Sequence, residues 1–147
     1  MRQSLGWTAF NNADAVQFGD TALNLNVNLN SAVIPATVLV SSSNNYNFTG
    51  TGKLSGNGAT LTKAGTGTLT VSTINDYSGG TTISGGVVKL GVLNTVLGLP
   101  TGSTPLCVVT NAGGMAGAAL DINGLAIGGL AAYTNPCLLY TSDAADE

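Results

Sequence analysis

The sequence predicts an all-β fold built as a parallel solenoid, with short strands stacked coil upon coil. Three observations predict it. Apolar residues recur at every second position in several short runs, the period of a strand with one buried face. In the clearest of these, Leu69 is followed 19 residues later by Val88, and Val71 by Leu90, the interval of one closed coil. Charged residues make up only 7% of the chain, so the helix formers Glu, Gln, Lys and Arg are scarce, while there are 21 glycines. An antiparallel β-sandwich is the alternative, because hairpins also turn on Gly and Asn.

In chain order, residues 1–20 read as an entry and cap segment. Residues 1–10 hold one arginine and no apolar run of signal-peptide length, so an exported protein is expected to begin further upstream. Trp7 and Phe18 are expected to cap the apolar end of the first coil. Residues 21–30, TALNLNVNLN, alternate most cleanly, with Leu23, Leu25, Val27 and Leu29 facing one way and the asparagines the other. Pro35 ends the next run because it has no N–H to give a ladder. Residues 36–40 form a strand with Val38 and Val40 inward, and residues 41–45 a polar turn. Residues 46–49 are a short strand closed by Gly50 and Gly52, and Leu54 and Leu61 carry the apolar face onward.

Residues 60–91 hold the best repeat. Residues 66–71 alternate threonine with apolar side chains; residues 75–80, NDYSGG, reverse the chain through residue types that tolerate left-handed backbone. Residues 81–83 and 87–90 repeat the strand, separated by Gly85 and Gly86. The segment LTKAGTGTLTVSTINDYSGGTTISGGVVKLG resembles the autotransporter-associated β-strand repeat. The matched positions are Leu61, Thr62, Lys63, Gly65, residues 67–70, Ser72, Asn75, residues 77–82, Gly86, Leu90 and Gly91. Thr73, Asp76 and the pair Val87 and Val88 depart from the pattern, and none of these is a turn glycine. The resemblance implies a right-handed parallel β-helix within a large secreted or surface-displayed bacterial protein. Residues 11–20 resemble the entry segments found ahead of such repeats. Leu69, Val71, Val88 and Leu90 are expected to be buried, with Thr68, Thr70 and Lys89 largely exposed.

Beyond the repeat, residues 92–100 read as a loop or a single helical turn, and residues 101–105 as a linker. Residues 107–110 resume a strand, residues 111–117 turn, and residues 119–124 alternate again before Leu125, Ile127 and Leu130. The β-helix repeat region is expected over residues 21–136, and at about 20 residues per coil the chain would hold six or seven coils, a rod of roughly 30 Å. Asp121 interrupts the longest apolar stretch, so no segment crosses a bilayer as a helix. Residues 137–147 break the pattern and back-translate to a transposon-end sequencing adapter, so they are expected to be an adapter artefact after natural sequence ending near Pro136. Without Asp143, Asp146 and Glu147 the charge balances, and Cys107 is left as a lone, small, buried hydrophobe.

Catalytic chemistry is not written into these residues. The chain has no histidine, hence no imidazole base or histidine metal ligand. Asp14, Asp20, Asp76 and Asp121 are scattered, and the only cations are Arg2, Lys53, Lys63 and Lys89. Lys63 reads as a solvated edge charge. Residues 50–53, GTGK, lack the spacing of a phosphate loop, calcium-binding nonapeptides are missing, and no basic patch suits nucleic acid. The expectation is therefore no catalytic, cofactor-binding or metal-ligating residue and no cofactor. By the resemblance, the chain is a non-enzymatic structural segment of an autotransporter or adhesin-like protein, extracellular or displayed on the outer membrane. Its partners would be neighbouring repeats of a longer chain, and surface glycans. The alternative is a glycan- or surface-binding module of a carbohydrate-active secreted protein, its face centred on Thr66, Thr68 and Thr70.

Overall fold

Alternation in the sequence becomes three-faced coils in the computed structural model, which describes residues 9–92, 96–98, 107–110, 117–121 and 123. The first coil carries β1 (Ala15–Phe18), β2 (Asn26–Asn28) and β3 (Ala32–Val33). The second carries β4 (Thr37–Ser41), β5 (Tyr46–Thr49) and β6 (Lys53–Leu54), and the third β7 (Thr60–Ala64), β8 (Thr68–Val71) and β9 (Ile74–Asn75). The fourth has β10 (Thr81–Ile83), β11 (Val87–Leu90) and β12 (Val96–Leu97); β13 (Cys107–Val109) and β14 (Ala119–Asp121) follow. The described residues contain no helix.

Each face stacks its own strands in parallel. The first face is a five-stranded sheet in the order β1-β4-β7-β10-β13, and the second a five-stranded sheet of β2, β5, β8, β11 and β14. The third face consists of two strand pairs, β3 with β6 and β9 with β12. This is a parallel β-solenoid of about four turns. The antiparallel sandwich is excluded, since every ladder is parallel. Leu69 lies against Val88 and Val71 against Leu90, the register that the 19-residue return predicts.

Stacking turns alternation into columns. On the first face, Val16, Val38, Leu61, Thr81 and Cys107 form one inward column, and Phe18, Val40, Lys63, Ile83 and Val109 the other. On the second face, Val27, Phe48, Val71 and Leu90 form one, and Tyr46, Leu69, Val88 and Leu120 the next. Val40, Leu69, Val71, Ile83 and Val88 are fully buried, and each such side chain contributes about 1.5–3 kcal/mol through burial. Burial is complete only in the middle coils, because a coil needs a neighbour on both sides to close its interior.

Several expectations are corrected. Six or seven coils were expected at about 20 residues per coil, but the described residues form about four, and the 19-residue interval is the tightest among them. The steps Ala15 to Thr37, Thr37 to Thr60, Leu61 to Thr81 and Thr81 to Cys107 run from 20 to 26 residues. Residues 21–30 form no single strand: only Asn26–Asn28 pairs, and Leu23 is fully exposed. Asn24 accepts the N–H of Asn26 on its side-chain oxygen at 3.0 Å, a local bond that competes with the ladder. Residues 92–100 are not simply a loop or helical turn, since Val96–Leu97 joins the third face beside Ile74–Asn75. Thr68, Thr70 and Lys89 are half-buried, not largely exposed, because adjoining coils shield their flanks. Trp7, residues 101–105, most of the 111–117 turn, Leu125, Ile127, Leu130 and residues 137–147 lie outside the described residues.

Candidate functional site

The repeat at residues 60–91 concentrates the polar chemistry of the described chain, at a corner and on the third face. At the corner between the first two faces, β7 turns into β8 through Gly65 and Gly67, and β10 into β11 through Gly85 and Gly86. Lys63 is wholly buried, and it stands in the apolar column between Val40 and Ile83. This overturns its reading as a solvated edge charge. Its Nζ donates to the carbonyl oxygens of Ala64 (2.6 Å), Gly65 (3.1 Å) and Gly85 (3.4 Å). The ammonium thus ties the corner of the third coil to that of the fourth. Burial pulls its pKa below that of a solvated lysine.

Gly86 shows how tightly this corner is filled. Its φ is +63°, and a Cβ there would press on the carbonyl oxygens of Gly67 and Gly65 and on Nζ of Lys63. Two coils earlier, Asp20 performs the same tying from outside, between the first coil and the second. Its Oδ1 accepts from the Ser42 hydroxyl (2.6 Å), the Ser43 N–H (2.7 Å) and the Ser43 hydroxyl (3.0 Å). The Ser42 hydroxyl, first among these donors, holds the Asp20 carboxyl below the ordinary range.

On the third face two polar side chains, Thr73 and Asn75, enter the interior. Asn75 is buried and its Oδ1 accepts from the backbone N–H of Leu54 (2.9 Å) and the Thr73 hydroxyl (3.0 Å). Asp76 N–H reaches back to the Leu54 carbonyl, so an amide side chain bridges the gap between the two third-face strand pairs. Tyr77, also buried, lies 2.5 Å from the Thr81 hydroxyl, which in turn donates to the Leu97 carbonyl at 3.0 Å. Burial pushes the Tyr77 phenol well above its usual range. Asn75 was read from sequence as a left-handed turn residue. In the 75–80 segment only Gly80 has positive φ, and Asn75 instead completes a coil-to-coil bond.

These groups order the backbone around them, and the described carboxylates are each engaged by neighbouring groups. Asp76 pairs with Lys53, whose hydrogen bond is the main reason its carboxyl titrates low. Asp121 lies 3.8 Å from Lys89, its register partner. Asp14 accepts the N–H of Asn11 at 2.8 Å. Among the described residues, no three potential metal ligands from His, Cys, Asp and Glu come together. No described helix is long and apolar enough to cross a membrane. Period-2 parity could have found the buried lysine, since Lys63 lies two residues after inward Leu61 and must share its face.

The fold and the few polar groups buried in its apolar interior define a class, a parallel β-solenoid whose coils are tied at their corners and along one face by side chain-to-backbone bonds. Residues 61–90 match the passenger-associated-transport-repeat family, the autotransporter-associated repeat that the sequence resembles. The match runs from β7 to β11. Comparison with curated proteins gives no match, and comparison with solved structures gives none.

Proposed function

We propose that the chain is a non-enzymatic structural segment of an autotransporter passenger, displayed outside the cell, whose work is to extend a stiff solenoid by stacking coil upon coil. One observation carries this reading: the segment that matches the passenger-associated repeat stacks in unbroken register with the coils on either side. Columns of Leu, Val and Phe then serve as interior for any coil added in the same register. Neighbouring repeats of the same architecture are the natural partners.

The test is an antibody raised against the chain and applied to intact bacterial cells that carry its gene. Labelling without permeabilisation is the expected result; labelling only after permeabilisation overturns the reading. Incubation with pectin and alginate should give no turnover, and reproducible cleavage abolished at Lys63 or Asp121 would contradict a structural role. The second face favours one further reading, a glycan-binding surface, because Asn26, Asn47 and Thr70 form an outward column across three coils. Asn47 already donates its amide to Asn26 Oδ1 at 3.0 Å, which leaves that column fewer groups for a sugar. Retention on a glycan array, lost in Asn47→Ala and Thr70→Ala, would establish binding.

A further inference from the structure

Where the third face of the second coil turns into the first face of the next, between β6 and β7, the chain passes through Asn57 and Gly58. Both are exposed, and Gly58 has φ +84° with no atom within 4 Å of the place a Cβ would take. The following coil lays Ser78 over this turn. Its Oγ accepts the Gly58 N–H at 2.8 Å and donates to Oδ1 of Asn57 at 2.9 Å. A hydroxyl has one proton to give and lone pairs to accept with, so it holds both bonds at once. Ser78 is buried and its own N–H is fixed on the Gly56 carbonyl at 3.1 Å, which keeps the hydroxyl in place. One group thus touches both a backbone nitrogen and the side-chain carbonyl that this nitrogen reaches by closing a ring.

We propose that Asn57 is a site of self-modification, deamidating through a succinimide with Ser78 as the proton relay. The Gly58 nitrogen bonds to Cγ of Asn57 while its proton passes to Ser78 Oγ and the Ser78 proton passes to Oδ1, so the serine ends unchanged. The intermediate then collapses. The Cγ–Nδ2 bond breaks, and the side-chain amide leaves as ammonia with the proton from Oδ1. Water opens the resulting ring at either carbonyl and leaves aspartate or isoaspartate at position 57. Nucleophile and electrophile are adjacent in the chain, which supplies the proximity. Gly58 sets no side chain against the ring, and exposure of the turn admits the water. The product adds a negative charge to a chain with only 7% charged residues, and isoaspartate adds a methylene to the main chain where the second coil passes into the third.

Trypsin cuts after Lys53 and Lys63, and the peptide of residues 54–63 holds Asn57 as its only asparagine. Mass spectrometry of that peptide, with isoaspartate methyltransferase labelling, follows the reaction while the full chain is incubated at neutral pH. The folded chain is expected to deamidate at Asn57 at least as fast as the chain unfolded in urea, although an ordered backbone without a relay slows ring closure. Ser78→Ala, with the circular dichroism of the wild type, should slow the folded reaction several-fold and leave the rate in urea unchanged. Ser78→Thr, which keeps the hydroxyl, should retain most of the folded rate. Slower loss of Asn57 in the folded wild type than in urea overturns the proposal, and that comparison needs no variant. A folded Ser78→Ala rate equal to or above that of the wild type overturns it too, because the hydroxyl would then be a turn contact and no relay.

Discussion

Lys63 occupies an interior position that carries Phe18 and Val40 in the coils before it and Ile83 and Val109 in those after. A cation there persists because three carbonyl oxygens take its protons, and removing the donor leaves buried acceptors at a cost of about 1–3 kcal/mol. Lys63→Met is therefore expected to lower the melting temperature by several degrees while keeping the strand content. The pH dependence has a definite sign. Burial places the folded pKa below the unfolded value, so between the two the unfolded chain binds more protons and stability rises with pH. Tyr46 and Tyr77 act oppositely from about pH 10 upward, because their folded pKa values are raised. Subtracting the Lys63→Met profile from that of the wild type isolates the lysine. A difference that rises towards pH 10 is expected, and a flat or falling one contradicts the burial. Parity alone placed this residue inward, and only its charge argued for the surface. Asn75 was less legible, because its role depends on Leu54, a residue of the coil below.

At the scale of elements, the corners decide whether coils can stack at all. Gly86 combines positive φ with contacts that leave no space for a side chain, while Gly58 has φ +84° and open surroundings. Gly58→Ala should cost only the backbone strain of about 1–2 kcal/mol. Gly86→Ala should cost clearly more, since the corner of the third coil and Lys63 must both shift; equal losses by thermal melting would show that the corner is loose. Strand positions were legible wherever an apolar side chain recurred at every second residue, as in β5, β8 and β11. The third face was not, because β3, β6, β9 and β12 are two residues long and too short to show a period. Residues 21–30 misled for the opposite reason: their alternation is long, yet the local bond of Asn24 holds Leu23 out of the sheet.

At the scale of the molecule, the ten parallel ladders among the described residues and an interior of aligned columns make each coil depend on its neighbours. The overall class was legible from alternation, the 19-residue return and the repeat resemblance. The number of coils was not, because the length of chain per coil varies from step to step. The half-exposed pair Lys89 and Asp121 adds little to this stack, on the order of 0.2–1 kcal/mol or less, so Lys89→Ala should move the melting temperature by no more than about a degree or two. The central claim is the parallel coil-on-coil register, and paired cysteines read it directly. Asn47 and Thr70 are register partners on the outer side of the second face, as are Thr70 and Lys89. Under mild oxidation, Asn47→Cys with Thr70→Cys and, separately, Thr70→Cys with Lys89→Cys should each form an intramolecular disulfide. The offset pair Thr49→Cys with Thr68→Cys should not. Cross-linking of the offset pair, with neither register pair closing, would contradict the solenoid.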